Sequence, residues 1–353
     1  MTFKKQVQDI IDKGREGRNK GLPHGFNRLV EYIPGIQQAT YYLCGAESGV
    51  GKSAFINNSF CFNPIDWYIS NKDKTDIKLK IHYYSFEISK EMMLSKAVCR
   101  KIYVDYGILL DVNYILSRGK FKISQEHYEL VTKTLDYFDE LEDILYISDL
   151  STNPTGLWHR ELKYASENGT GISTDFQFTK EDYVPYNDNL YTLIILDHCS
   201  LIRKERGFST KELIDKTSEY LIILRNKCKF TPIVIQQLNR ANSSADRFKL
   251  DRIEPQLSDY KDSGNTIQDC NICLSLFSPK RYELKTHRGY NIEKLDNRYV
   301  SMGILKNRDG ESDKIIGLNF VGECGYFAEL EKANDFVMNP SLYDKYMNIK
   351  KAF

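Results

Sequence analysis

The stretch GAESGVGKSAF, residues 45–55, decides the fold, because it reads as a loop that binds phosphate. The usual pattern of such a loop is G-x-x-x-x-G-K-[ST]. Here Ala46 occupies the first position, and a glycine stands one place earlier at Gly45. The apolar strand TYYLCG (40–45) precedes the loop, and a helix is predicted to start at Lys52. This order of strand, loop and helix is the context in which such a loop holds a nucleotide.

Each residue type in this loop has a physical role. Gly49 and Gly51 let backbone N–H groups turn toward phosphate oxygens. Lys52 would reach the β and γ phosphates, the Ser53 hydroxyl would bind Mg²⁺, and the helix N-terminus adds a partial positive charge. The residues that we expect to hold the nucleotide are Ser48, Gly49, Val50, Gly51, Lys52, Ser53, Ala54 and, from a later strand, Asp197.

Beyond the loop, predicted strands and helices alternate. Strands are expected at 79–87, 144–149, 190–197, 231–236 and 270–277, and helices at 52–60, 89–103, 124–141, 155–166 and 211–228. Two later strands, 299–308 and 314–320, have an antiparallel pattern. The alternation predicts an α/β fold with a mostly parallel central sheet, helices on both faces and late antiparallel strands. Ligands of such folds bind at the carboxyl ends of the strands.

Two acidic residues follow apolar strands at that edge. LYTLIILD (190–197) ends in Asp197, as expected of an acid that holds Mg²⁺ through water. A strand-ending aspartate can also cap the next turn. IHYYSFEIS places Glu87 at the end of another strand, where it would orient or deprotonate the attacking water. Taken alone, Glu87 could equally face solvent.

Amides and cations follow two further strands. VIQQLNRAN (234–242) places Gln237 where an amide can sense a γ-phosphate. ILKNRDG (304–310) places Lys306 and Arg308 two residues apart, on one face of a strand. Such cations often act in a neighbouring subunit's active site. A solvated basic strand end is the alternative.

The composition excludes several classes of protein. The formal net charge is +1, so a polyanion would bind at a local groove or an assembled surface rather than to a globally basic field. The motif C-x-x-C at Cys270 and Cys273 lacks a second pair, and CNICLSLF reads as a buried strand rather than a metal site. No stretch reads as a signal peptide or a membrane span, so we expect a cytoplasmic protein without a membrane partner.

The chain divides into three parts. Residues 1–20 are predicted to form a linker helix or arm that packs on its own domain or on a neighbouring subunit. Residues 21–330 form the main domain, interrupted by a polar, acidic surface insertion at about 168–190. Residues 331–353 form a C-terminal tail.

These motifs, in this order, resemble the RecA-like ATPase domain of the bacterial replicative helicases of the DnaB type. The resemblance covers roughly residues 21–325, and alanine is common at the first position of this family's phosphate-binding loop. It rests on the quoted segments together with YYSFEISKEMMLSKAVCR, LSRGKFKISQEHYEL, VIQQLNR and LSDYKDSGNTIQDCNICL. LDHCSLI is closer to the Asp-His form of some bacteriophage helicase–primases than to the Asp-Tyr form of the bacterial proteins. The minimal architecture leads us to expect a bacteriophage or a similar element as the source.

The resemblance implies roles for the site residues. ATP would be the nucleotide, with Mg²⁺ held by Ser53 and Asp197. Glu87 would be the catalytic glutamate and Gln237 the γ-phosphate sensor. Arg308, with Lys306, would act on the ATP of the adjacent subunit.

The resemblance also implies contacts with DNA and a mode of action. Lys261, Asp262 and Gly264 would line a pore against single-stranded DNA. Independently of the resemblance, Arg240 begins a segment rich in cations, 240–252, that could line the interior of a ring, with a solvated loop as the alternative. Lys261 stands where arginine is usual, so the charge is kept without the bidentate fork. The implied function is a hexameric, ATP-driven replicative helicase that moves 5′ to 3′.

The chain differs from the bacterial members at its N-terminus, and two other functions share the same motifs. The bacterial members carry an N-terminal helical domain, for which residues 1–20 leave no room, and a primase or loader is a possible partner. A RecA-like recombinase or loader that forms filaments is an alternative, since it would share the same site residues. A nucleotide-gated scaffold that binds ATP but barely hydrolyses it is the third possibility.

Overall fold

A nine-stranded sheet forms the centre of the molecule. The structure is a computed structural model and describes residues 2–17, 19–238, 253–263, 265–347 and 350–351. The strands of the sheet are β1 (Tyr42–Ala46), β2 (Lys78–Ser85), β3 (Leu145–Ser148), β4 (Leu190–Asp197), β5 (Thr231–Gln237), β6 (Ile272–Phe277), β7 (Tyr299–Asn307), β8 (Lys314–Val321) and β9 (Tyr326–Glu329). Their order across the sheet is β9-β8-β7-β6-β1-β5-β4-β2-β3.

The first six strands of the chain are parallel and the last three are antiparallel. Strand β1 lies between β5 and β6 and is parallel to both, and β2 is parallel to β3 and β4. Strand β7 is antiparallel to β6 and β8, and β8 to β9. The predicted α/β class, with a mostly parallel sheet and late antiparallel strands, is confirmed. The parallel arrangement brings the ends of β1, β2, β4 and β5 to one edge, where the site lies.

Helices cover both faces of this sheet. They are α1 (Phe3–Arg15), α2 (Asn27–Val30), α3 (Lys52–Ile56), α4 (Asn63–Asn71), α5 (Lys90–Tyr106), α6 (Val112–Ile115), α7 (Gln125–Lys133), α8 (Leu135–Ile144), α9 (Pro154–Glu167), α10 (Thr210–Cys228), α11 (Thr266–Asp269), α12 (Ala333–Met338) and α13 (Leu342–Met347). One core cluster packs α3, α4, α5 and α8 on one face, and a second packs α9 and α10 on the other. Neighbouring residues such as Ile195 and Leu196 divide between the two clusters, as the alternation of side chains along a strand requires.

Several predicted boundaries differ from the structure. The helix expected at 52–60 continues through a π-helical segment, Asn57–Phe62, into α4. The single helix expected at 124–141 is divided at Thr134, whose hydroxyl donates to the carbonyl of Val131 at 2.7 Å. Strand β2 ends at Ser85, because the Ser85 hydroxyl donates to the Ile88 carbonyl at 2.6 Å and closes a bend. The predicted N-cap of α5, Ser89, is confirmed by its hydrogen bond from the Met92 amide.

Short elements occupy the region 168–190 and the end of the chain. The strands Gly169–Thr170 and Val184–Pro185 pair in an antiparallel manner, and Phe178 of this region packs near Trp158 of α9. Helices α12 and α13 pack against β7 through a small cluster that includes Phe336 and Tyr346. The last described residues, Lys350–Lys351, pair with Ile108–Leu109.

The apolar side chains of α1 are exposed, whereas the cysteines of the chain are buried. Helix α1 contains no buried residue, and its apolar side chains Phe3, Val7, Ile10 and Ile11 are exposed. All eight cysteines, in contrast, are buried as free thiols, including the pair Cys270 and Cys273. None of the described helices combines the length and apolarity that crossing a bilayer requires.

Candidate active site

A cavity of about 330 Å³ lies where the predicted phosphate-binding loop meets the carboxyl ends of the strands. Lys52 and Ser53 line it from the start of α3, Glu87 from the segment after β2, and Gln237 from the end of β5. These residues are far apart in the sequence. The parallel sheet brings them together because β5 neighbours β1, and β4 lies between β5 and β2.

The loop has the backbone geometry that phosphate binding needs. Gly49 has φ 76° and Gly51 has φ 100°, a region that glycine adopts without strain. A Cβ at Gly51 would lie 2.9 Å from the ring of Phe320, so the loop is also closely packed there. The Lys52 ammonium donates to the carbonyl of Glu47 at 2.9 Å and is thereby held within the loop.

Two charged residues of the site, Lys52 and Asp197, are buried. Burial lowers the pKa of Lys52, while the nearby Cys44, Glu87 and Asp197 act in the opposite direction. Asp197 is fully buried, and burial raises its pKa despite the hydrogen bonds that it accepts. Burial disfavours the ionised form of this carboxylate, and a divalent cation bound to it would stabilise that form.

Asp197 is held by two hydroxyl groups. Ser53 Oγ donates to Oδ1 at 2.9 Å, and the Tyr83 hydroxyl donates to Oδ2 at 2.9 Å. A serine hydroxyl has one proton to donate and two lone pairs. Ser53 can therefore donate to Asp197 and still offer a lone pair to Mg²⁺, so the residues fit the predicted ion.

Glu87 and Gln237 line the cavity and are exposed. Glu87 is exposed two residues beyond β2, and Gln237 is the exposed last residue of β5. Their positions are compatible with contact to a water molecule and to a terminal phosphate, respectively.

The predicted cations of the neighbouring site do not line this cavity. Lys306 Nζ donates to the carbonyl of Ile267 at 2.5 Å and to that of Gln268 at 3.2 Å. Arg308 also donates to the Gln268 carbonyl. Both cations thus lie against the last turn of α11, whose carbonyl groups carry partial negative charge.

Helix α11 is also bonded to the strand that ends in Gln237. The Thr266 hydroxyl, at the first residue of α11, donates to Oε1 of Gln236 at 3.1 Å. Both side chains are 1% exposed. Because Gln236 directly precedes Gln237, this buried hydrogen bond joins α11 to the edge of the cavity.

The sequence reading missed several residues near the loop. Arg281 donates to the carbonyl of Ser48, and the Tyr282 hydroxyl donates to Oε1 of Glu47 at 2.5 Å. Lys96 lines the cavity from α5. No motif connects these residues to the loop, since Arg281 is 233 positions from Ser48.

Tyr83 was missed although the sequence contained a signal for it. It lies two residues before Ser85 and four before Glu87, so alternation along β2 places its side chain on the face that looks toward the loop helix. Only the partner, Asp197 on β4, required the structure.

The predicted DNA contacts fall at the edge of what the structure describes. Arg240 and Gly264 lie outside the described residues. Lys261 and Asp262 belong to the 3₁₀ helix Leu257–Ser263, and their side chains are not among the described parts of the chain. Their assignment as DNA contacts stays a prediction.

The chain matches a family model and several curated relatives, of which two are described. Residues 180–329 match the DnaB-like helicase C terminal domain. The chain is 22% identical over 338 residues to the replicative DNA helicase DnaB of Geobacillus stearothermophilus, covering 95% of this chain and 63% of that protein. It is 22% identical over 335 residues to the replicative DNA helicase DnaC of Bacillus subtilis (strain 168), covering 94% and 62%. The chain therefore spans less than two thirds of the length of these relatives.

Two solved structures have the same fold. One is an ATPase domain, which superposes with a TM-score of 0.71 at 18% identity, over 94% of this chain and 99% of that one. The other is a DnaB-like replicative helicase, described together with its interactions with primase. It superposes with a TM-score of 0.66 at 18% identity, over 94% and 67%. The RecA-like fold and the resemblance to the DnaB-type helicases are confirmed.

Proposed function

We propose that this protein is an ATP-dependent replicative DNA helicase that moves along single-stranded DNA. The observation that carries the proposal is the convergence of Lys52, Ser53, Glu87 and Gln237 around one cavity, with the buried Asp197 bonded to Ser53, in a chain that resembles replicative helicases. A scaffold that only bound nucleotide would have no need of the exposed carboxylate of Glu87 beside the loop.

The residues of the chain would divide the work of hydrolysis. Lys52 and the loop amides hold the phosphates of ATP, and Ser53 with Asp197 holds Mg²⁺, which supplies charge neutralisation at the phosphates when bound. Glu87 orients the attacking water and accepts its proton. Gln237, the last residue of β5, forms a hydrogen bond to the terminal phosphate, so that the position of β5 depends on whether this phosphate is present.

The cations that complete the site would come from a second copy of the chain. Lys306 and Arg308 lie outside their own cavity, on the carbonyls of α11. We propose that subunits assemble as a hexameric ring in which these cations reach the adjacent nucleotide. Lys261, Asp262, Gly264 and Arg240 would then contact the DNA strand in the pore, with movement from 5′ to 3′.

The remaining expectations about its setting follow from the same resemblance. A primase or a loader is the partner that we propose, because one structural relative is described together with its interactions with primase. We place the protein in the cytoplasm, the host cytoplasm if a bacteriophage encodes it.

The decisive experiment is unwinding of a forked duplex with ATP and Mg²⁺. Lys52→Ala should abolish both ATP turnover and strand separation, since it removes the cation that holds the phosphates. Lys72→Ala is a matched control, because Lys72 is an exposed lysine paired with Glu140 away from the cavity. Unwinding that survives Lys52→Ala would refute the mechanism.

Electron microscopy separates the helicase from its main alternative. Closed six-fold rings with an ATP analogue and an oligonucleotide would support the proposal. Open helical filaments would favour a recombinase or loader, and an ATPase rate that DNA does not stimulate would favour a scaffold.

A further inference from the structure

Two adjacent tyrosines on β2 each donate a hydrogen bond to a buried carboxylate. The Tyr83 hydroxyl donates to Asp197 Oδ2 at 2.9 Å, and the Tyr84 hydroxyl donates to Glu161 Oε1 at 2.5 Å. The two side chains point to opposite faces of the sheet, as successive strand residues must. Tyr83 belongs to the core cluster on the side of the loop helix, and Tyr84 to the cluster on the other side.

Tyr83 can act only as a hydrogen-bond donor to its partner. Its side chain is fully buried, and a phenol, whose ordinary pKa is about 10, is protonated at neutral pH. The phenol therefore keeps its proton. Because the hydroxyl has no access to water, its position relative to Asp197 is fixed by the packing of the ring.

The contact crosses between two strands in a defined way. In the register of β2 and β4, Tyr83 lies opposite Ile195, and Ser85 lies opposite Asp197. The long side chain of Tyr83 thus reaches two residues further along β4 than its own backbone. The strand that continues to Glu87 is thereby tied to the carboxylate at the end of its neighbour.

We propose that Tyr83 is a positioning residue for the metal-binding carboxylate of Asp197. Ser53 occupies Oδ1 and Tyr83 occupies Oδ2, so the carboxylate is held at both oxygens by groups on different elements. With Oδ2 tied to β2, Oδ1 stays directed toward Ser53 and the place where Mg²⁺ would bind. Without the phenol, the carboxylate can rotate. Binding of the metal must then also orient the carboxylate, which lowers the affinity for the metal. The inference rests on the proposed function, since it assumes that Asp197 serves a metal.

Tyr84→Phe is a matched control for Tyr83→Phe in the full-length chain. Both changes remove one buried phenol hydroxyl from the same strand, and each leaves a buried carboxylate with one donor fewer. Only the carboxylate next to Tyr83 belongs to the proposed metal site. A role confined to stability predicts equal behaviour of the two variants.

The measurement is the Mg²⁺ dependence of nucleotide binding, followed with a fluorescent ATP analogue, and of ATP turnover. Tyr83→Phe should raise the Mg²⁺ concentration at half-saturation about tenfold, the lower end of the effect of losing a group that orients a metal ligand. Binding of the analogue without Mg²⁺ should stay as in the unmodified protein. Tyr84→Phe should leave the Mg²⁺ dependence unchanged.

The outcomes distinguish this inference from the proposed function. An unchanged Mg²⁺ requirement in Tyr83→Phe, or an equal shift in both variants, overturns the inference while leaving helicase activity standing. Absence of ATP turnover in the unmodified protein defeats the proposed function, and the binding measurement still tests Tyr83. If Tyr83→Phe does not fold, 3-fluorotyrosine at position 83 keeps the shape and strengthens the donor. It should lower the Mg²⁺ requirement, and an unchanged requirement overturns the inference.

Discussion

Replacing Thr266 with valine should weaken the stimulation of ATP hydrolysis by DNA. The Thr266 hydroxyl donates to Gln236 at 3.1 Å, and both side chains are almost completely buried. A neutral hydrogen bond contributes about 1 kcal/mol net, and a buried acceptor that loses its donor costs about 1–3 kcal/mol. We therefore expect the free energy of unfolding to fall by about 1–3 kcal/mol.

The effect on function follows from the position of this hydrogen bond. Helix α11 comes directly after the segment 261–264 that we propose contacts DNA, and Gln236 precedes the proposed sensor Gln237. If this hydrogen bond contributes about 1 kcal/mol to the coupling between the DNA contacts and the cavity, its loss should lower the ratio of ATPase rates with and without DNA about fivefold. The rate without DNA should change little, because Thr266 does not line the cavity.

The assay compares Thr266→Val with Thr266→Ser. Serine keeps the hydroxyl and loses only a methyl group, so it should retain the DNA stimulation. Steady-state ATPase rates with and without single-stranded DNA give the ratio, and urea denaturation gives the stability. The reasoning is refuted if Thr266→Val lowers stability but leaves the ratio of ATPase rates with and without DNA unchanged. It is also refuted if Thr266→Ser lowers this ratio as much as Thr266→Val does.

Two further predictions concern the phosphate-binding loop and the ion pairs of Glu254 with His287 and Arg288. Gly51→Ala should weaken binding of a fluorescent ATP analogue at least about tenfold, because φ is 100° and the new Cβ would lie 2.9 Å from a phenylalanine ring. Gly107→Ala, at φ 66° with open space around it, should leave binding unchanged, and an equal loss in both variants would contradict the explanation. Burial raises the pKa of Glu254, but hydrogen bonds from His287 and Arg288 outweigh it and lower the pKa to about 2. The stabilisation is present above the ordinary pKa of 4.5 and is lost as the pH falls toward 2, so Glu254→Gln should cost about 2 kcal/mol at pH 7 after solvent screening and less at pH 3. Urea denaturation at both pH values measures this, and a cost independent of pH would exclude the charge as its source.

The fold and the site residues could be predicted from the sequence where a local motif lies at the end of a parallel strand. The loop around Lys52 has a fixed spacing, and Asp197 ends a continuous apolar strand. Once the strands are parallel, their carboxyl ends must share an edge, so the gathering of these residues with Glu87 follows from the pattern alone.

The sequence was insufficient where contacts depend on packing between distant segments. Arg281 approaches the loop because the turn after β6 lies over it, and no periodicity encodes that approach. Lys306 and Arg308 could be placed on one strand face, but their carbonyl partners on α11 depend on how β7 packs beside that helix. The split at Thr134 arises from a side-chain hydrogen bond that competes with the helix.

The burial of every thiol has a practical consequence for following the protein at work. Burial raises the pKa of Cys44, Cys199 and Cys324 to about 12, so these side chains remain protonated and unreactive in neutral buffer. A maleimide dye should therefore react slowly with these thiols. It should also react slowly with Cys270, because this thiol is fully buried, although a hydrogen bond with Cys273 lowers its pKa. One cysteine introduced at an exposed position such as Leu150, 72% exposed, would carry a single fluorophore without removal of the natural thiols. In the proposed ring, energy transfer between such labels on adjacent copies would report their arrangement as ATP is consumed.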